Sequence, residues 1–268
     1  MNGSANSSAH GSAAPPSLVR EQFEAILDMG RLFATTFKRA LNPNNWRPSE
    51  ISDQIVKIGV GSLPIITVST VFAGLVVTNE IAWHMDHALH TITMIPGFTG
   101  QFILRELGIA IPALLIVAKV GAAITAEIGS MKVTEQIDAL RMLRVDPIDY
   151  LVLPRWMASI FACACLVLIA SGVTLACAIL IAITKYNFGF GEYLNALRHF
   201  VGTKDLLCAV TKGVVFGSVI PIISCTYGFR CRGGAEGVGT ATTNSVVAST
   251  IAVILLDFIL TFVFTRWL

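Results

Sequence analysis

The stretch WMASIFACACLVLIASGVTLACAILIAIT, from Trp156 to Thr184, carries no charged residue over 29 positions. An α-helix rises about 1.5 Å per residue, and about 20 apolar residues cross the hydrocarbon core of a bilayer. The stretch is therefore long enough to cross a membrane as one helix and to tilt or protrude. It places the chain among the integral membrane proteins.

Four further apolar segments have the same character. We predict five transmembrane helices in all, at about residues 58–79, 107–126, 156–183, 206–229 and 245–265. Charged residues make up 13% of the 268 residues, against about 25% in a typical soluble domain. The net charge of +2 gives no reason to expect nucleic acid as a partner. The expected fold class is all-α, a polytopic membrane protein whose transmembrane domain covers residues 51–268.

The N-terminal region differs from the rest of the chain. Residues 1–17 are rich in Ser, Ala, Gly, Asn and Pro and contain no charged residue, which predicts a disordered tail. From Leu18 to Leu41, apolar residues recur every three or four positions with charged residues between them. This pattern predicts an amphipathic helix within residues 18–45 that lies flat on the membrane surface. The alternative is an ordinary helix that packs on a soluble domain.

Lysine and arginine are unevenly distributed between the segments that connect the predicted transmembrane helices. If the N-terminus is inside, the inner segments hold twelve of these residues and the outer segments five. Because positive charge favours the cytoplasmic side, we expect a cytoplasmic N-terminus and, after five crossings, an external C-terminus.

One polar segment, at about residues 131–144, combines apolar and charged residues at helical spacing. Met131, Ile137, Leu140 and Leu143 can share one face of a helix, with charged residues around them. A short amphipathic helix held at both ends by transmembrane helices can act as a knob that fits a groove of a partner protein. A surface helix that rests on lipid headgroups explains the pattern equally well.

Among the charged residues inside or at the ends of the predicted transmembrane helices, four form one group: Arg105, Glu106, Lys212 and Asp257. A charge near the bilayer centre costs roughly 2.5–3.5 kcal/mol on insertion scales, so each should face protein or water. All four lie toward the external face, and we predict a polar cluster at the mouth of a cavity. Arg105 and Lys212 are the best placed to contact a phosphate. The alternative is a set of structural salt bridges between helices.

Other chemically suggestive residues give weaker signals. Six cysteines occur without a CxxC pair, which favours packing residues over disulfides or metal ligands. His84, His87 and His90 have a spacing that could hold a metal, but no carboxylate pattern supports such a site, and we expect no metal and no cofactor. The glycine-rich segment 230–244 lacks the Gly-Lys-Ser/Thr ending of a phosphate loop and is expected to form a turn.

A long motif and several shorter stretches occur together in an order that matches one family. The sequence AEIGSMKVTEQIDAL occupies Ala126–Leu140, with Asp146-Pro147 and Pro154-Arg155 after it. Shorter stretches are FAG at 72–74, LRELG at 104–108, GAEGVGTATT at 234–243 and LDF at 256–258. The chain thereby resembles the MlaE-type (YrbE-type) permeases, the membrane subunits of ABC transporters that work with MCE-domain proteins. Thr240 and Asn244 stand where many relatives carry a basic residue.

The resemblance implies a permease domain, a function and a set of partners. It implies a coupling helix that docks on a separate ABC ATPase through Glu135, Gln136, Ile137, Asp138, Ala139 and Leu140, with Ile137 and Leu140 as buried anchors. It also implies that two copies of the chain pair around a lipid path in the bacterial inner membrane, with an MCE protein on the periplasmic side. The cargo would be phospholipid or a similar lipid. Arg105, Glu106, Lys212 and Asp257 match charged residues of the family's substrate pocket.

Two other classes of function remain possible from the residues alone. An ion-coupled secondary transporter of a hydrophobic substrate would need ionisable residues near mid-membrane and often has inverted repeats. A membrane enzyme that acts on lipid would need acids, histidines or a nucleophile grouped at the boundary. The sequence contains no phosphate loop, so ATP hydrolysis is expected in a partner chain and the protein is expected to be a transport subunit, not an enzyme.

Overall fold

A computed structural model of the chain describes residues 18–43, 46–87 and 92–267. The predicted disordered tail and His90 lie outside these ranges. The described α-helices are α1 Leu18–Ala40, α2 Pro48–Ile55, α3 Gly61–His87, α4 Ile95–Phe102, α5 Gly108–Ile116, α6 Ala122–Val133, α7 Gln136–Met142, α8 Leu153–Tyr186, α9 Phe190–Phe200, α10 Thr203–Phe229 and α11 Gly234–Trp267. These ranges contain no β-strand.

Five helical segments are long and apolar enough to cross a membrane, which confirms the all-α polytopic fold. These spans are Pro48–His87, Ile95–Val133, Ile148–Tyr186, Thr203–Phe229 and Gly234–Arg266. The chain alternates direction along them, so the bundle has two ends. We call them the α7 end, where α7 joins the second span to the third, and the α9 end, where α9 joins the third to the fourth.

The spans are longer than the hydropathy pattern predicts. The second begins at Ile95, twelve residues before the predicted start at 107. The glycine-rich segment expected as a loop from 230 to 244 is helical from Gly234 onward, and the connection shrinks to residues 230–233. Apolar composition marks only the part of a helix that suits hydrocarbon, whereas backbone hydrogen bonding continues through polar ends.

The core of the bundle is built around α8, which packs against α3, α5 and α10. On α3 the buried positions recur every fourth residue and are mostly small: Ser62, Ile66, Thr70, Gly74, Thr78 and Ala82. Small residues let helix backbones approach closely, which drives helix association in membranes. Gly217 of α10 shows how close: a Cβ at this position would lie 2.6 Å from the carbonyl oxygen of Ser159 in α8.

Four π-helical turns interrupt the spans, at Val56–Val60, Ile103–Leu107, Val117–Gly121 and Ile148–Val152. Each of them contains at least one charged residue. Lys119, in the third turn, donates a hydrogen bond to the carbonyl oxygen of Gly61, just after the first turn. A π turn rotates the side chains that follow it relative to an unbroken α-helix, and such turns are frequent at functional sites.

The amphipathic helix α1 packs on one side against the α7 end of the bundle. Phe33 and Phe37 contact the Trp156 ring edge to face, with centroids 6.3 and 6.4 Å away. Arg39 forms ion pairs with Asp146 at 2.6 Å and Asp149 at 2.8 Å. The helix therefore packs on the transmembrane bundle itself, although several of its apolar side chains stay exposed.

Candidate functional sites

The first candidate site is an ion cluster inside the bundle, where spans two, four and five meet. Glu106 belongs to the π turn of span two, Lys212 to α10, and Asp257 to α11. Lys212 lies nine residues into span four, which corresponds to roughly 14 Å along the helix. The cluster therefore lies well inside the helices, nearer to the α9 end.

Lys212 is the centre of this cluster, and its side chain is fully buried, with 0% exposed. Its ammonium group lies 2.8 Å from Asp257 Oδ1 and 3.4 Å from Glu106 Oε1. It also donates hydrogen bonds to the carbonyl oxygen of Arg105 at 2.7 Å and to Thr261 Oγ1 at 2.8 Å. The Thr261 hydroxyl in turn donates to Glu106 Oε1 at 2.8 Å.

These contacts occupy Lys212 completely. An ammonium group has three N–H donors, and four oxygen atoms surround this one. A phosphate could reach it only after the three helices rearranged. In this structure Lys212 therefore holds spans two, four and five together, which is the structural alternative that the sequence left open.

Arg105 directly precedes Glu106 in the sequence, but its side chain points elsewhere. Its Nε donates a hydrogen bond of 2.6 Å to Asp205 Oδ1. The other carboxylate oxygen of Asp205 accepts the N–H of Gly202 at 2.8 Å and so caps the start of α10. A guanidinium group has five N–H donors, and the contact with Asp205 occupies one of them.

An open cleft of about 550 Å³ lies beside Arg105 at the α9 end. Its walls include Gln101, Arg105, Phe200, Lys204, Asp205 and Thr265. Arg105 is partly exposed, with 31% of its side chain accessible, so its charge faces this cleft while Lys212 stays enclosed. Of the two cations expected to contact phosphate, the structure leaves only Arg105 accessible.

Three of the four predicted site residues thus come together in one network, and the fourth forms a second pair. Sequence reasoning missed Asp205 and Thr261. Asp205 could have been found, because it stands three residues after Gly202 at the start of a helix, where a carboxylate caps free N–H groups. Thr261 lies one turn after Asp257 and therefore on the same helical face.

The second candidate site is the segment around α7. Helix α6 ends at Val133, Glu135 adopts a left-handed conformation with φ of 59°, and α7 runs from Gln136 to Met142. The predicted helix at 131–144 is therefore two helical pieces joined by a turn. Lys132 and Arg141 pair with Asp138 at 3.0 and 3.1 Å, so hydrogen bonding by Lys132 and the charges of both cations lower the pKa of that carboxyl.

The apolar residues of α7 fall into a buried group and an exposed group. Ile137 is 0% exposed and packs in the main hydrophobic core of the chain, and Leu140 packs partly against the same core. The exposed apolar side chains are Met142 and Leu143, at 87% and 74%. Ile137 and Leu140 therefore attach α7 to its own bundle, and its large exposed apolar side chains lie at its C-terminal end.

A third group of charges connects the spans near the α7 end. Arg155 is almost fully buried and forms an ion pair of 3.1 Å with Glu127. It also donates a hydrogen bond of 2.9 Å to the carbonyl oxygen of Leu151. Lys57 lies 3.6 Å from the other oxygen of Glu127. Spans one, two and three are thus held together just behind α7.

The histidine segment shows no metal site in the part of the chain that the structure describes. His87 stacks on Trp83 with ring centroids 4.7 Å apart, and His84 lies 3.3 Å from Glu80. Across residues 18–43, 46–87 and 92–267, no group of three or more His, Cys, Asp or Glu side chains could hold a metal ion.

Five apolar spans, with an ion cluster between three of them, make this chain a multi-pass membrane protein. Comparison with known proteins agrees: residues 51–263 match the family model described as Permease MlaE. The chain belongs to this family.

Its relatives include proteins from bacteria and a plant. It is 38% identical over 218 residues to a probable ABC transporter permease protein of Rickettsia typhi, covering 80% of this chain and 82% of that one. A probable ABC transporter permease protein of Synechocystis is 36% identical over 235 residues, covering 86% of both chains. The chloroplastic protein TRIGALACTOSYLDIACYLGLYCEROL 1 of Arabidopsis thaliana is 33% identical over 216 residues, covering 81% of this chain and 61% of that protein.

Proposed function

We propose that this chain is the permease subunit of an ABC transporter that moves phospholipid, or a similar lipid, between the bacterial inner membrane and an MCE protein. A separate ATPase drives the movement. The observation that carries the proposal is the partly exposed Arg105 beside an open cleft within the spans. The name of the Arabidopsis relative, which is that of a glycolipid, also supports a lipid cargo.

The cleft suits the headgroup of a lipid better than a small soluble anion. Arg105 offers the planar set of N–H donors that binds phosphate oxygens in pairs, and its pairing with Asp205 holds it in place. Apolar side chains such as Phe98 and Phe102 are exposed on the preceding turns of the same span. An acyl chain could follow this surface while the headgroup stays at the arginine. Lys212, Glu106 and Asp257 would set the position of the three helices around it.

The proposal assigns the partners to the two ends of the bundle. The α7 end would face the cytoplasm and bind the ATPase, with Glu135, Gln136, Asp138 and Ala139 in the contact region. The N-terminus would then be cytoplasmic and the C-terminus periplasmic, on the side of the MCE protein. Span five is mostly exposed, with Ile251, Phe258 and Phe262 on its open face, and a second copy of the chain would cover it.

Reconstitution tests this proposal. The chain is purified with its ATPase and inserted into liposomes that contain a fluorescent phospholipid, and transfer to an MCE acceptor protein is measured with and without ATP. We expect transfer that requires ATP and the ATPase. Transfer that continues without the ATPase and follows an ion gradient would replace this proposal with the ion-coupled secondary transporter.

A further inference from the structure

Two lysines lie on the exposed surface where spans one and two meet. Lys57 belongs to the π turn Val56–Val60 of span one, and Lys119 belongs to the π turn Val117–Gly121 of span two. Both side chains are exposed. The ammonium group of Lys119 donates a hydrogen bond to the carbonyl oxygen of Gly61, which lies one helical turn after Lys57. The two cations therefore share one region of the surface, and we call them the lysine pair.

The ion pairs of this region leave positive charge uncompensated. Glu127 lies 3.6 Å from Lys57, but its other oxygen is held at 3.1 Å by Arg155, which is almost fully buried. A buried cation depends on its carboxylate more than an exposed cation does, because it has no water to replace it. Asp53 lies one turn before Lys57, and within the described residues it forms an ion pair with neither lysine. One carboxylate thus serves three cations.

Lys119 also has hydrogen-bond donors to spare. An ammonium group has three N–H donors, and the Gly61 carbonyl accepts from one of them. Lys212 differs in both respects, because four oxygen atoms surround its ammonium group and its side chain is 0% exposed. In the part of the chain that the structure describes, Lys119 forms no ion pair. A cation inside a span needs protein, water or a ligand as a partner, so an anion suits this position.

Apolar side chains adjoin the lysine pair on both spans. Val56 and Val60 of span one are 59% and 58% exposed. Ala118 and Ala123 of span two are exposed on either side of Lys119 in the sequence. Within a span, such a surface contacts acyl chains. Two cations on an apolar surface match the part of a phospholipid where the phosphate joins the acyl chains.

The position of the lysine pair along the bundle suits the leaflet at the α7 end. Glu127, which meets Lys57, lies 22 residues after Arg105 in span two, a distance of roughly 33 Å along a helix. The hydrocarbon core of a bilayer is about 30 Å thick, so Arg105 and Lys57 lie near opposite boundaries of it. Lys119 is attached deeper than Glu127, but its side chain reaches to within one turn of Lys57.

We propose that the lysine pair binds the headgroup of an anionic phospholipid from the leaflet at the α7 end. The phosphate lies between the two ammonium groups, and the acyl chains follow the valine and alanine surface. Basic pockets between transmembrane helices on the cytoplasmic side bind anionic headgroups in this way. The site is separate from the Arg105 cleft, and binding there requires neither the ATPase nor an MCE protein.

Photolabelling of the full-length chain tests this site. The chain is reconstituted alone into phosphatidylcholine liposomes that contain a trace of phosphatidylglycerol with a photoreactive group near its phosphate. Mass spectrometry identifies the labelled peptides, and we expect label around positions 57 and 119. A phosphatidylcholine probe of the same design should label these peptides at least about fivefold less, because each lysine near a membrane surface strengthens the binding of anionic lipid by about that factor.

Glutamine substitutions remove the charge and keep the capacity to donate a hydrogen bond. Lys119→Gln can still reach the Gly61 carbonyl, so a loss of label reports the missing charge. This variant and Lys57→Gln should each reduce labelling by phosphatidylglycerol about fivefold. Lys119→Arg retains the charge and should retain the label. Lys38→Gln is the matched control, because it removes the same charge from an exposed position of α1 at the same end of the bundle. It should leave the labelling unchanged.

Three results would overturn the proposal. The first is equal labelling by the two probes, and the second is full labelling in both Lys57→Gln and Lys119→Gln. The third is protection by millimolar inorganic phosphate that equals protection by unlabelled phosphatidylglycerol, because it would assign the lysine pair to a soluble anion.

The labelling experiment is independent of lipid transfer. A reconstituted transporter that moves no lipid would contradict the proposed function and leave this site in place. A lysine pair without headgroup preference would contradict this inference alone.

Discussion

Arg105 and Glu106 are neighbours in the sequence but belong to two separate ion networks. Arg105 pairs with Asp205 at the start of α10 and faces an open cleft. Glu106 turns toward Lys212 and Thr261 inside the bundle. Successive residues of a helix point in different directions. Two adjacent charged residues can therefore face a cleft and a neighbouring helix, respectively.

The buried cluster gives a prediction about stability. Lys212→Met leaves Glu106 and Asp257 with no cation between them, and we expect a loss of about 3–5 kcal/mol in the free energy of unfolding. Asp257→Asn is the matched control. The remaining pair of Lys212 and Glu106 has no net charge, so this variant should lose much less free energy of unfolding. Thermal unfolding in detergent compares the two variants. Equal losses would show that charge balance does not govern the cluster.

Arg105 gives a prediction about lipid. Arg105→Gln removes a guanidinium group that faces the cleft, so phospholipid binding and ATP-dependent transfer should both fall about tenfold or more. The melting temperature should also fall, because the carboxylate of Asp205, whose side chain is only 3% exposed, loses its cation. Binding and transfer are therefore measured well below the melting temperature of the variant. Arg198→Gln removes the same charge from an exposed position of α9 and should leave transfer unchanged. A comparable loss in the Arg198 variant would point to a general charge effect at this end.

Helix packing at Gly217 gives a third prediction. Gly217→Ala would bring a Cβ to 2.6 Å from the Ser159 carbonyl oxygen. The helices must shift to avoid this clash, so the free energy of unfolding should fall by about 1–3 kcal/mol. Gly172→Ala in α8 meets no atom within 4 Å and should be neutral or slightly stabilising. Melting temperatures in detergent, measured side by side, check both. A stable Gly217 variant would mean that α8 and α10 can separate at little cost.

The attachment of α1 should depend on pH. Burial alone would raise the pKa of Asp146, but hydrogen bonds from Arg39 and from the Ile148 amide outweigh it and hold the pKa below its usual value. A lowered pKa means that the ion pair stabilises the fold above the unfolded value of about 3.9 and that this contribution is lost as pH falls through the lower, folded value.

Arg39→Gln measures this contribution. The variant should unfold at a lower temperature than the unaltered chain at pH 7, by an amount that corresponds to about 1 kcal/mol or less. The difference should shrink below about pH 4, as the carboxyl of Asp146 becomes protonated. A difference that stays constant down to pH 3 would show that Arg39 acts through packing and not through charge.

Much of the fold could be predicted from the sequence because it depends on composition along the chain. The apolar stretch at Trp156–Thr184 has one stable form in a bilayer, a helix with all backbone groups bonded internally. The ends of the spans could not be predicted in this way. Residues 95–106 and 234–244 contain polar and glycine residues, yet both segments are helical or part of a helical span. Helix α9 packs on the first segment, whereas none of residues 234–244 is buried.

The sequence by itself determined that the chain has five segments apolar and long enough to cross a membrane, that it belongs with ABC transporter permeases, and that its embedded charges need partners. These properties follow from hydropathy, motif order and the cost of an isolated charge in hydrocarbon. Only the tertiary structure decided which charges pair and which surface of α7 is exposed. A helical pattern shows that Ile137 and Met142 point in different directions, but contact with the bundle alone determines which of them is buried.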